Sequence, residues 1–137
     1  MYRFIKIMIA SGLLFAAVAQ PALADVVVIV SANSPVTTLS TAQIARIFQG
    51  KSNLMTPVDI EGHSVSRHEF YSKVVGADEA RVKEMWAKLQ FTGKGSAPRE
   101  LASGTDVVKA VAANPKAIGY VDKSFVNMTV KIIYTVK

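Results

Sequence analysis

Runs and spacings of apolar residues predict eight secondary-structure elements in this chain. Val26 to Val30 is an uninterrupted β-branched run, typical of a strand buried on both faces of an open α/β sheet. Four helices are predicted from Ser40 to Gly50, from Ser66 to Gly76, from Asp78 to the loop at Thr92, and from Thr105 to Asn114, with further strands over 57–60, 117–121 and 130–136. The predicted order is therefore β-α-β-α-α-α-β-β. In the last strand, Val130, Ile132 and Tyr134 alternate with their neighbours, which predicts that these three share one face.

Polar residues at the helix starts fit known capping patterns. Ser40 with Gln43 predicts a capping box, and Ser66 with Glu69 predicts a second one on the next helix. Asp78 predicts the N-cap of the third helix. We therefore expect separate helices, each with a defined start.

The first 24 residues have the three-part pattern of a cleavable secretory signal peptide. Arg3 and Lys6 form a basic start, the stretch 7–19 is apolar, and Ala22 and Ala24 are small residues around the predicted cut. The apolar stretch is shorter than the about 20 residues that a membrane-spanning helix needs. Cleavage after Ala24 would export residues 25–137 as one domain, and no Cys follows the apolar stretch for a lipid anchor.

Composition excludes several classes of function. The sequence has no Cys, which rules out disulfides, thiol chemistry and zinc-thiolate sites. Its 16 Lys and Arg fall to 14 when Arg3 and Lys6 leave with the signal peptide, against 10 Asp and Glu, a net charge of +4. These cations are scattered, whereas nucleic-acid-binding proteins cluster them. We therefore expect no nucleic-acid partner.

No set of residues in the sequence supports catalysis or a cofactor. His63 and His68 are the only imidazoles, and their spacing lacks the further ligands of a metal site. The stretch from Gly93 to Ser96 resembles part of a phosphate loop, but Lys88 stands where the first glycine of that motif belongs. We expect neither an enzyme nor a metalloprotein.

Small hydroxyl residues at two predicted helix starts are the candidate binding residues. They are Ser64, Ser66 and Arg67 before one helix and Ser103 with Thr105 before another. The first N–H groups of a helix lack internal acceptors and carry about half a positive charge, so they attract anions. Capping alone also accounts for these Ser residues. Both interpretations remain open on the residues alone.

The order of motifs resembles that of periplasmic phosphate-binding proteins. The segment LSTAQIARIFQGK over 39–51 resembles the "L…I..IF.GK" segment of that family, and the motifs FTGKG over 91–95 and AIGYV over 117–121 continue in the family's order. The resemblance covers nearly all of residues 25–121. It implies one lobe of a type II periplasmic-binding-protein fold, an α/β domain with a mixed sheet and about four helices.

The resemblance also implies a function. Full-length receptors carry a Ser-Gly-Ser-Gly-Thr signature that binds an oxyanion such as phosphate, and the positions of Ser64, Ser66 and Arg67 match that signature. The resemblance also implies a partner, which would be an ABC transporter or a membrane sensor. Those receptors close two lobes around the ligand, so a single lobe implies weak binding or closure by a partner or a second protomer in a homodimer. The segment 63–67 lacks both glycines, which favours the alternative of a periplasmic interaction module without ligand.

Overall fold

The structure is a computed structural model that describes residues 25–137; the predicted signal peptide, residues 1–24, lies outside the described residues. The strands are β1 (Val26–Ser31), β2 (Thr56–Ile60), β3 (Arg99–Leu101), β4 (Ala117–Asp122) and β5 (Val130–Thr135). The α-helices are α1 (Thr41–Phe48), α2 (Val65–Phe70), α3 (Glu79–Phe91) and α4 (Gly104–Ala113). A π-helical turn (Tyr71–Val75) continues α2, and a 3₁₀-helix (Lys123–Phe125) follows β4. Among these described residues, no helix is long and apolar enough to cross a membrane.

The five strands form one mixed sheet in the order β3-β2-β4-β1-β5. Strand β2 runs parallel to both β3 and β4, whereas β1 is antiparallel to β4 and β5. The carboxyl ends of β2, β3 and β4 therefore meet at the same edge of the sheet, which we call the carboxyl edge. The mixed α/β sheet with four α-helices confirms the predicted fold class.

Helices cover both faces of the sheet. In β4, Gly119 faces α4 so closely that an added Cβ would lie 2.9 Å from Val107 and 3.1 Å from Val111. The next residue, Tyr120, points to the opposite face, where its ring stacks on Phe70 of α2 at 4.0 Å and meets Phe48 of α1 edge-on at 6.0 Å. Coverage on both sides explains why every residue of β1 is buried.

Local sequence signals predicted several helix ends correctly. The Ser40 hydroxyl accepts from the Gln43 N–H at 3.1 Å while the Gln43 side chain accepts from the Ser40 N–H at 2.8 Å, so the capping box is confirmed. Asp78 caps α3 by accepting from the Ala80 N–H at 3.0 Å. Gly50 follows α1 at a φ of 75°, a conformation that glycine adopts without strain.

The structure corrects two local predictions and adds one strand that the sequence did not predict. The N-cap of α2 is Ser64, whose hydroxyl accepts from the Arg67 N–H, so Ser66 lies inside the first turn and does not cap the helix. The sequence pattern does not predict strand β3, because this strand is only three residues long and pairs only with β2. In β5, the register with β1 shifts between Val28 and Ile29, so Val130 and Ile133 are buried in place of strict alternation.

Candidate functional site

Both predicted helix starts lie at the carboxyl edge of the sheet. The connection from β2 to α2 and the connection from β3 to α4 leave adjacent parallel strands at this edge. The Glu61 N–H donates to the Leu101 carbonyl at 2.9 Å, which ties the two connections together where they begin. Ligands of open α/β sheets commonly bind beyond the carboxyl ends of the strands. The geometry therefore makes this edge the candidate binding site.

The α2 start presents Ser64 and Ser66 differently. Ser64 is exposed and its hydroxyl accepts from the Arg67 N–H at 3.1 Å. Ser66 is half-buried, and its hydroxyl makes no side-chain hydrogen bond with a residue that the structure describes. The Ser64 hydroxyl can still donate to a ligand, because a hydroxyl that accepts one bond keeps its own proton. Both hydroxyls are therefore available as donors.

The α4 start is more enclosed. The Ser103 hydroxyl accepts from the Asp106 N–H at 3.2 Å and lies 3.1 Å from the Asp106 carboxylate, to which it can donate. Gly104 is covered by the Phe125 ring, which an added Cβ would approach to 2.7 Å. Thr105 is exposed. Asp106 offsets part of the positive potential at this helix end, so α4 attracts an anion less than a bare helix start would.

Arg67 lies in a buried polar cluster that the sequence patterns did not predict. Its Nη1 donates to the backbone carbonyl of Ile60 and lies 3.3 Å from the Asp59 carboxylate. Its Nε donates to Glu79 at 3.3 Å, and Nη1 is 3.6 Å from Glu100. The guanidinium also lies 5.1 Å from the centre of the Tyr71 ring. Arg67 is thus engaged mainly with internal partners.

Asp59 is the centre of this cluster. It is 2% exposed, and its carboxylate accepts from the hydroxyls of Tyr71 and Tyr120 and from the Ile60 N–H at 2.9 Å. Asp59 interrupts the apolar stretch of β2, and that interruption was the available signal that a buried partner was needed. Its partners are too far apart in sequence to be identified without the fold.

The cluster shifts the protonation of its members. Burial, reinforced by the adjacent Asp59 carboxylate, raises the pKa of Tyr71 and of Tyr120 well above the ordinary tyrosine value. Burial opposes the charge of Arg67, but Asp59 and the other neighbouring groups outweigh it, so the pKa of Arg67 lies above its ordinary value. At neutral pH both phenols therefore stay protonated and donate to Asp59, while Arg67 stays charged.

A cavity of about 200 Å³ adjoins the cluster between α3 and the β2–β3 side of the sheet. Its lining includes Arg67, Glu79 and Glu100 together with the apolar side chains of Val82 and Trp86. The cavity is separate from the exposed hydroxyl of Ser64, which does not line it.

His63 and His68 line a surface groove with Asp78 and Glu79. Within residues 25–137, no three His, Asp or Glu side chains are grouped so that they could hold a metal ion.

Comparison with solved structures relates the fold to phosphate receptors. An ABC-type phosphate transport receptor from Vibrio cholerae matches with a TM-score of 0.62 at 21% identity, over 80% of this chain and 45% of the receptor. A Clostridium perfringens protein with bound phosphate, assigned as a phosphate ABC transporter substrate-binding protein, matches with a TM-score of 0.59 at 25% identity, over 80% of this chain and 44% of its own. PstS from Borrelia burgdorferi matches with a TM-score of 0.58 at 12% identity, over 80% of this chain and 46% of PstS.

This chain has the fold of a single lobe of a phosphate receptor. It spans less than half the length of each of these receptors. No protein-family profile matches it, and no curated protein matches it in sequence. The single-lobe fold thus agrees with the family resemblance of the sequence, whereas the ligand contacts stay a prediction.

Proposed function

We propose that this chain is a non-catalytic, periplasmic solute-binding-like protein that binds phosphate or a similar oxyanion at the carboxyl edge. The proposal rests on one observation: α2 and α4, both with a Ser N-cap, follow the adjacent parallel strands β2 and β3 in a fold shared with phosphate receptors. Ser64 and Ser66 supply the main hydroxyl donors in this proposal, and Thr105 with Ser103 supplies a weaker second group. An ABC transporter or a membrane sensor is the proposed partner.

The proposed site is open, which limits its affinity. Micromolar binding needs about 8 kcal/mol, and hydrogen bonds to a charged ligand supply about 1.5–3 kcal/mol each only when water is excluded. Ser64 and Thr105 are both exposed to solvent. We therefore expect a Kd of about 1 mM for the isolated domain. Tighter binding would require a partner protein or a second protomer that covers the edge.

Arg67 was among the residues expected to contact the oxyanion. Its three carboxylate neighbours, Asp59, Glu79 and Glu100, make the place of its guanidinium unfavourable for a fourth negative charge. We therefore assign the direct contacts with the oxyanion to the Ser and Thr hydroxyls and to the first N–H groups of α2 and α4.

Thermal melting of residues 25–137 with phosphate tests this function. At 10 mM phosphate, a Kd of about 1 mM stabilises the domain by about 1.4 kcal/mol and raises Tm by about 5 °C. Potassium chloride at matched ionic strength is the control. Ser66→Ala should remove most of the shift without removing a cap, while Ser72→Ala, an exposed Ser whose hydroxyl donates to the Glu69 carbonyl, should keep it.

The second candidate function is an interaction module that has the fold without the ligand. Val65, the first residue of α2, is an apolar side chain that is 62% exposed. At the start of α4, Phe125 covers Gly104 and Asp106 adds a carboxylate, which makes that helix start less suited to an anion. A Tm that is the same in phosphate and in chloride favours this module.

A further inference from the structure

Arg67 is bonded to both ends of the connection between β2 and α2. At one end its Nη1 donates to the backbone carbonyl of Ile60, the last residue of β2. At the other end its backbone N–H donates to the hydroxyl of Ser64, the N-cap of α2. The connecting residues 61–64 are all exposed, so packing contributes little to their conformation. The side chain and the backbone N–H of Arg67 therefore link the two ends of this exposed connection.

The guanidinium is itself held in place by the buried cluster. Asp59 lies 3.3 Å from Nη1, and its carboxylate is fixed in turn by the hydroxyls of Tyr71 and Tyr120. Glu79 accepts from Nε at 3.3 Å, which sets the orientation of the guanidinium plane. A planar group with several donors in a fixed fork can satisfy these acceptors together. The position of Arg67 is thus determined from the core.

We propose that Arg67 is a positioning residue that fixes the 61–64 connection, and with it the Ser64 hydroxyl and the first N–H groups of α2. Its effect on phosphate rests on the proposed function, since Arg67 acts through Ser64 and does not touch the ligand. Charge alone does not perform this role, because a lysine ammonium cannot reach the Ile60 carbonyl and the surrounding carboxylates in the same fork geometry.

Amide hydrogen exchange in the ligand-free domain tests the positioning role. The protected amides to follow are those of Glu61, which donates to Leu101 at 2.9 Å, and His68, which donates to Ser64 at 3.0 Å. In Arg67→Met and in Arg67→Lys, we expect their protection factors to fall about tenfold to a hundredfold. The Val107 amide, bonded to Ser103 at 3.1 Å in α4, should keep its protection.

The matched control is Arg81→Met, an exposed arginine on α3, which should leave all three protection factors unchanged. Phosphate titration of the same variants should show a similar loss of affinity for Arg67→Met and Arg67→Lys. If Arg67→Met does not fold, Arg67→Lys and Tyr71→Phe, which removes one hydroxyl from Asp59, carry the same test.

Two outcomes would overturn the proposal. Unchanged protection factors at Glu61 and His68 in the Arg67 variants would show that Arg67 does not position the connection. If the same variants also lost phosphate binding, Arg67 would instead be a direct contact with the ligand. If the protection factor of Val107 fell as much as those of Glu61 and His68, the substitution would have lowered the stability of the whole domain. If the wild type fails to bind phosphate, the proposed function fails, but the exchange pattern still decides whether Arg67 positions the connection.

Discussion

Tyr120→Phe removes one hydroxyl from the buried cluster and leaves the aromatic packing in place. The Tyr120 ring is fully buried, stacks on Phe70 at an interplanar angle of 11°, and would keep that contact as phenylalanine. Its hydroxyl donates to Asp59, a carboxylate that is 2% exposed. Water therefore has no ready access to replace the lost donor.

The expected loss follows from the charge of the acceptor. A hydrogen bond to a charged group contributes about 1.5–3 kcal/mol, so we expect Tyr120→Phe to lower the free energy of unfolding by about 2 kcal/mol. Asp59 keeps its bonds from Tyr71 and Ile60 and its ion pair with Arg67, which argues against a larger loss.

Urea denaturation followed by circular dichroism measures this loss. Tyr134→Phe is the matched control, since Tyr134 is half-buried in β5 and makes no side-chain hydrogen bond with a described residue; it should change stability by less than about 0.5 kcal/mol. In an Asp59→Asn background the acceptor is neutral, so Tyr120→Phe should cost only about 1 kcal/mol. Equal losses of stability for Tyr120→Phe and Tyr134→Phe would show that the fold does not depend on the hydrogen bond from Tyr120 to Asp59.

Two further predictions concern stability. Because the folded-state pKa values of Tyr71 and Tyr120 are raised, their stabilisation is complete below the unfolded pKa of about 10 and falls above it, by about 1.4 kcal/mol per pH unit for each tyrosine. In urea melts from pH 9 to 11, the free energy of unfolding should therefore decline less steeply with pH in Tyr120→Phe than in the wild type. Equal slopes for the two proteins would contradict this. Gly119→Ala should cost about 1–3 kcal/mol, because its Cβ would lie 2.9 Å from Val107, whereas Gly95→Ala, with its nearest contact at 3.6 Å, should be close to neutral in the same melts.

The fold was predictable where short-range patterns determine the structure. The β-branched run from Val26 to Val30 predicted a buried strand, and the polar residues Ser40 and Asp78 predicted helix starts, because a cap depends on only a few neighbours. Strand β3 and the register shift in β5 depend on partner strands, so the local pattern did not reveal them.

The candidate site was predictable only in part. The sequence singled out Ser64 because a hydroxyl residue stood before a helical pattern, although the pattern favoured Ser66 as the cap. The polar cluster joins Asp59, Arg67, Tyr71 and Tyr120, which the fold brings together from β2, α2 with its π-helical turn, and β4. No spacing rule relates such distant positions, so the internal role of Arg67 emerges only from the structure.

Isothermal titration calorimetry of residues 25–137 with phosphate measures the proposed oxyanion binding itself. We expect saturable phosphate binding with a Kd of about 1 mM, which is lost in Ser66→Ala and retained in Ser72→Ala. No phosphate-specific heat beyond that of chloride, or a Ser66→Ala variant that binds as well as the wild type, would contradict it.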